Sequence, residues 1–191
     1  MTTNIMIVGV GGQGTLLASR IIGSLLVEKG YDVKVSEVHG MSQRGGSVVT
    51  YVKYGEAVHS PIIDKGEADL ILAFELLEAM RALPWLKKGG KIIVNRQKIS
   101  PMPVITGAAQ YPDGIEEKLS EKADAVFADA LSLAEKAGSF KAVNVVLIGL
   151  LAASSGIEQE AWIGAVKKNV PEKLLEVNLR AFEEGWSLGQ K

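Results

Sequence analysis

The chain has 191 residues, 47% of them hydrophobic, and 21 basic residues face 22 acidic ones for a net charge of −1. That balance excludes the electrostatic footprint of a nucleic-acid binder or of a protein held on an anionic membrane, and the length suits one domain, residues 1–191, with one good core. Cysteine is absent and histidine occurs only as His39 and His59, which excludes a thiolate nucleophile, a disulfide and a cysteine-held iron–sulfur cluster in this chain, argues against a histidine-rich zinc site and suits a reducing cytoplasm.

The N-terminal residues carry no positive charge and read as the approach to a strand rather than as a signal peptide. After Asn4, residues 5–10 form a short apolar, β-branched run that ends in glycines, which predicts a parallel strand over 4–10 covered on both faces. Residues 15–29 predict a helix, because Leu16, Leu17, Ile21, Leu25 and Leu26 recur at helical spacing and Gly30 supplies a stop. A second strand over 32–37 completes a βαβ unit. After a polar loop, residues 47–54 alternate as a strand does, and a turn at Gly55 leads into an extended piece over 57–63. Residues 69–73 predict a buried strand, 76–86 a helix, 91–95 and 104–106 two strands, 115–122 a helix and 125–128 the last strand. From Ala130 onward the pattern is helical, broken at Gly138, Gly156 and Pro171. The apolar run 142–153, interrupted by Asn144, falls short of the roughly 20 residues that cross a bilayer and reads as a buried helix. The expected architecture is α/β: an open doubly wound, mostly parallel sheet flanked by helices, with a helical C-terminal region.

Two loops stand out. Gly9, Gly11, Gly12, Gln13 and Gly14 fit G-x-G-x-x-G between a strand and a helix, where glycines permit a tight turn and a helix N-terminus favours an anion. Glu37, 23 residues beyond Gly14, stands where a ribose-binding acid would. Two readings of this motif remain open: a dinucleotide site, or glycines that let the first helix pack closely with Glu37 a surface charge. The second loop holds Glu37, His39, Ser42, Gln43 and Arg44 among Gly40, Gly45 and Gly46. Following the second strand, it belongs on the same carboxyl-end edge as the first loop. Arg44 can fork onto a carboxylate or phosphate. His39 is the one candidate catalytic group, as a proton carrier, with a structural hydrogen bond the simpler role. Elsewhere His59 reads as a turn residue, Lys87 and Lys88 as solvated cations at a helix C-terminus, and Trp162 and Trp186 as packing. Glu75 and Glu78 lie three apart with no evident partner for acid–base work.

The segment from Ile7 to Thr15, IVGVGGQGT, followed by VSEVHGMSQRGGSV from Val35 to Val48, resembles the gamma-type domain of the 2-oxoacid:ferredoxin oxidoreductases. The similarity continues through EAMRALPWL at Glu78 to Leu86, Gly90 to Asn95, Tyr111-Pro112 and Asn144 to Leu150, and so covers nearly the whole chain. These later features look most like the small (beta) subunit of the indolepyruvate type. The resemblance implies an oxidoreductase subunit inactive alone. In such complexes an arylpyruvate is decarboxylated on thiamine diphosphate, electrons pass through iron–sulfur clusters to ferredoxin, and the acyl group leaves on coenzyme A. It also implies that a larger alpha subunit carries the thiamine and the clusters, that this chain binds no cofactor or metal by itself, and that ferredoxin is met only indirectly. The two loops would then form one face against that subunit, seating substrate or coenzyme A, and the isolated chain would expose an apolar patch and self-associate. The alternatives are the gamma subunit of a pyruvate or ketoisovalerate oxidoreductase, a free-standing NAD(P)- or flavin-binding protein, and a nucleotide-binding module without a partner.

Overall fold

Ile5 and Ile7 point to one side of the first strand and Met6 and Val8 to the other, and all four are buried, because helices cover both faces. The computed structural model describes residues 2–40 and 45–190. Within them the strands are β1 (Thr2–Val10), β2 (Asp32–His39), β3 (Ser47–Gly55), β4 (Ala68–Ala73), β5 (Leu86–Asn95) and β6 (Asp124–Ala128). The helices are α1 (Thr15–Glu28), α2 (Leu76–Ala82), α3 (Met102–Ile105), α4 (Ile115–Ser120), α5 (Ala130–Ala137), α6 (Val143–Ala153), α7 (Gln159–Asn169) and α8 (Leu175–Gly189).

The six strands form one sheet in the order β2-β3-β1-β4-β5-β6. β1, β4, β5 and β6 pair in parallel, and β3 pairs antiparallel to both β1 and β2. Five strands therefore run one way and β3 alone runs back. The mostly parallel, doubly wound expectation holds, with one difference: β1 and β2 do not touch, since β3 returns between them. Alternation along 47–54 shows a strand but carries no information on its neighbours.

On one face, α1, α5, α6, α7 and α8 pack over Ile5, Ile7, Leu72 and Ile93. On the other, α2 and α4 cover Met6, Val8, Ile71 and Ile92. Helix α6 is apolar on all sides and buried, as a helix enclosed by others must be. It crosses α8 so closely that a Cβ on Gly149 would lie 2.2 Å from the Phe182 carbonyl oxygen, and one on Gly185 1.9 Å from that of Val146. Trp162 is buried and Trp186 stacks on Phe182, so both tryptophans pack as expected.

Three local expectations fail. The helix from Leu76 ends at Ala82 and passes through a 3-10 turn, Leu83–Trp85, into β5, because Pro84 cannot donate to a continuing helix. Lys87 consequently lies in a strand, paired with Asp69 at 2.6 Å, rather than at a helix C-terminus. Residues 104–106 form no strand. Pro101 and Pro103 lack ladder donors and preset the first turn of α3 instead. Residues 57–63, containing Pro61, run without a ladder and are tied to the sheet by Val58 N–H donating to Asp32 at 2.8 Å. Among the described residues, no helix is long and apolar enough to cross a membrane.

Candidate functional site at the carboxyl edge

The carboxyl ends of β1, β2, β4, β5 and β6 and the start of β3 share one edge of the sheet. Connections leave β1 and β4 in opposite directions, so the crevice between those two strands is where ligands of open α/β sheets are usually met. The first glycine loop lies there. A Cβ on Gly9 would stand 3.0 Å from Phe74 Cβ, and one on Gly14, whose φ is +86°, would stand 2.6 Å from Asn144 Nδ2. These glycines admit the next strand and the head of α6. Gly12, at φ +104°, turns the chain with open space around it.

Gln13 closes the crevice from within. Its Oε1 accepts the Val10 N–H at 2.7 Å, and its Nε2 donates to the Phe74 carbonyl at 3.0 Å and to Gln97 Oε1 at 3.1 Å. Asn95, buried at the end of β5, donates to the same Phe74 carbonyl at 3.1 Å and accepts the Ala130 N–H at 3.2 Å. Side-chain amides thus bind the ends of β1, β4 and β5 to the start of α5, where pure backbone would leave polar groups unpaired.

The two loops named from sequence do meet. Gly11 N–H donates to the Gly46 carbonyl at 2.8 Å, and Gly45 N–H returns to the Gly11 carbonyl at 3.2 Å. Glu37 and His39 stand beside them at the end of β2, with His39 Nε2 4.0 Å from Glu37 and Nδ1 3.2 Å from the Gly40 carbonyl oxygen. Together with Gly11, Gly12, Gly14 and Leu16 they line a concavity of about 500 Å³. A second, of about 400 Å³, lies across the loop between Gly12, Gln13, Gln97, Phe140 and Lys141. Ser42, Gln43 and Arg44 lie outside the described residues.

This geometry departs from a dinucleotide site. β3 separates Glu37 from β1, so the acid is two strand spacings, roughly 10 Å, from the glycine loop rather than on the neighbouring strand. The Gly11 N–H is used by Gly46, and Gln13 occupies the crevice that a pyrophosphate would approach. Among the described residues no three histidines, aspartates or glutamates are placed to hold a metal.

Sequence reasoning missed the polar groups under this edge. Glu75 caps α2, its carboxylate accepting the Glu78 N–H at 2.9 Å, the Ile99 N–H at 3.0 Å and the Tyr111 hydroxyl. Glu78 accepts from the Ser47 hydroxyl and from Arg81, each at 2.6 Å. Burial and the adjacent Glu75 carboxylate hold the Tyr111 hydroxyl well above the ordinary tyrosine range. Asn144 reaches from the head of α6 to the Gly14 carbonyl at 3.4 Å. Two of these had a local signal, a lone amide closing an apolar strand at Asn95 and one opening an apolar helix at Asn144.

The rim of the edge is apolar. Leu16 and Leu131 project from the first turns after β1 and β6, Val38 from the end of β2, Met102 (65% exposed) and Ile105 (66%) from α3, and Phe140 (61%) from the turn before α6. Among the described residues, six of the eleven exposed large apolar side chains thus lie at this edge, and the others, Val27, Tyr31, Val35, Ile62 and Leu174, lie elsewhere.

The family profile described as pyruvate ferredoxin/flavodoxin oxidoreductase matches residues 4–188. The indolepyruvate oxidoreductase subunit IorB of Thermococcus kodakarensis is 44% identical over 188 residues, covering 95% of this chain and 93% of its own. That of Methanothermobacter thermautotrophicus is 44% identical over 191 residues, covering 97% of each. A 2-oxoglutarate:ferredoxin oxidoreductase from Magnetococcus marinus, solved with 2-oxoglutarate, coenzyme A and succinyl-CoA bound, superposes with a TM-score of 0.76 at 19% identity. The match takes in 99% of this chain but only 31% of that one.

Proposed function

Because the chain belongs to the pyruvate ferredoxin/flavodoxin oxidoreductase family, we propose that it is the small subunit of an indolepyruvate:ferredoxin oxidoreductase of the cytoplasm, inactive by itself, whose carboxyl edge docks on a larger catalytic subunit. The observation that carries this is the apolar rim around two hydrogen-bonded glycine loops. A larger partner is supported by the Magnetococcus protein, in which a domain of this fold is one part of a much longer chain. The IorB relatives at 44% identity favour an arylpyruvate, indolepyruvate first, over pyruvate or ketoisovalerate.

A chain without cysteine offers no thiolate for an iron–sulfur cluster, and among the described residues the edge offers no acidic ligand set for the magnesium that accompanies a diphosphate. In the proposed complex the larger subunit would carry thiamine diphosphate and the clusters, which would supply decarboxylation and the electron path to ferredoxin, with coenzyme A accepting the acyl group. This chain's part is shape and charge. The Gly11–Gly46 pair holds the second loop against the first, and the rim excludes bulk water on docking. Arg44 is assigned the role of a cation that pairs with an anionic group of substrate or coenzyme A. His39, with Nδ1 against its neighbour's carbonyl, is assigned a structural hydrogen bond.

Co-expression with a candidate large subunit, followed by ferredoxin reduction across several 2-oxoacids, tests this directly. We expect a stable complex that reduces ferredoxin fastest with indolepyruvate, and turnover at least tenfold lower in Arg44→Ala, about 1.4 kcal/mol of transition-state stabilisation. Stoichiometric NAD(P) or flavin on the purified chain would instead establish the dinucleotide reading, and unchanged turnover and assembly in Arg44→Ala would remove the role given to that cation.

A further inference from the structure

Two buried carboxylates beneath the edge have no part in the docking role. Glu75 is 1% exposed and Glu78 5%. A helix cap at residue 75 needs only a serine or asparagine, and an ionised carboxylate out of water is costly unless donors surround it. Here three of the five donors, Tyr111, Ile99 and Ser47, come from other pieces of chain. Glu75 gathers the Tyr111 hydroxyl, the Ile99 N–H at 3.0 Å and the Glu78 N–H at 2.9 Å, while Leu77 N–H donates to the Tyr111 oxygen at 3.1 Å. Glu78 takes the Ser47 hydroxyl on one oxygen and Arg81 on the other.

The bonds form a continuous path. It starts at Ser47, where the second glycine loop enters β3, crosses the first turn of α2, and ends at Ile99 and Tyr111 on either side of α3. Between its two ends lies a groove of about 240 Å³ with Gly45, Gly46 and Ser47 on one wall and Ile99, Pro101 and Met102 on the other. We infer that Glu75 and Glu78 are positioning residues that lock the exit of the second glycine loop and the Met102 wall into one arrangement, the one the larger subunit meets. The coupling of the walls stands on this chain alone, while its use in assembly rests on the function proposed above.

Amide hydrogen exchange on the isolated chain tests the coupling. In Tyr111→Phe we expect exchange to rise at least tenfold at Leu77, which loses its acceptor directly, and to rise also at Ile99, whose acceptor Glu75 loses the Tyr111 hydroxyl, and at residues 46–48 across the groove. Ser47→Ala, an exposed position that tolerates alanine, should show the converse, faster exchange at Ile99. Faster exchange confined to the immediate neighbours of each substitution would overturn the inference. In the assembled enzyme, Tyr111→Phe should weaken capture of the large subunit about tenfold and leave kcat at saturating small subunit unchanged. Full affinity in that variant would also overturn it. A wild-type chain that binds no large subunit would refute the proposed function, and the exchange data would still decide the coupling.

Discussion

Glycines gather in two regions of this molecule, the crossing of α6 and α8 and the loop between β1 and α1, and different physics puts them there. At the crossing, Gly149 and Gly185 have helical backbones that any residue could adopt, and what forbids a side chain is a carbonyl about 2 Å from where its Cβ would be. At the edge, Gly12 and Gly14 hold φ of +104° and +86°, and a Cβ on Gly12 would meet no other atom within 4 Å. One region is closed because nothing more fits. The other is shaped by backbone conformation and left open on its outer side. Left-handed glycines with open space also end ordinary turns, as at Gly30 and Gly66, so the contrast separates a region that excludes any side chain from one that excludes only the backbone strain of one.

The comparison can be broken by substitution. The largest effect should come from Gly185→Ala, which forces a Cβ onto the Val146 backbone and should destabilise by about 3 kcal/mol in denaturant unfolding. A loss below about 1 kcal/mol would mean that the helices separate easily and that the crossing is not the rigid region. Next is Gly14→Ala. Its left-handed φ should cost about 1–2 kcal/mol, since the Asn144 amide that the new Cβ meets is a side-chain end able to move. Here association with the large subunit should weaken more than stability does, and the reverse ranking would return this glycine to packing alone.

The smallest effect sharpens the same edge by pH. The Ser132 hydroxyl and N–H hold the exposed Asp129 carboxyl, the cap of α5, below its usual value near 3.8. A lowered value means that the bonded carboxylate stabilises the fold above about pH 4 and that this contribution fades as the pH falls through the lowered value. Asp129→Ala should therefore cost about 1 kcal/mol at pH 7. The difference from wild type should shrink in acid titrations, and a gap that persists at pH 2 would assign it to packing rather than to charge.

Much of this was legible in sequence where the cause is local. Continuous apolar runs marked the strands that two helical layers cover, and the all-apolar run after Asn144 marked the buried α6. The two loops were legible as an edge because strand ends and glycines mark it. What failed depends on distant partners. Gln13 closes the crevice through Phe74 and Gln97, 61 and 84 positions away, and nothing near Glu75 announces Tyr111 36 positions on. The return of β3 between β1 and β2 is likewise invisible to alternation, yet it sets the strand that carries Glu37 one place further from β1 than in a dinucleotide site. Proline decided the 101–106 segment against its β-branched residues.

Oxidative footprinting of the chain alone and in complex with the large subunit tests the central claim most directly. Met102 and Phe140 project at the carboxyl edge, while Tyr31, also exposed, precedes β2 at the opposite end. The docking account predicts that complex formation cuts labelling of Met102 and Phe140 at least fivefold and leaves Tyr31 unchanged. Protection of Tyr31 with Met102 and Phe140 still fully labelled would contradict it.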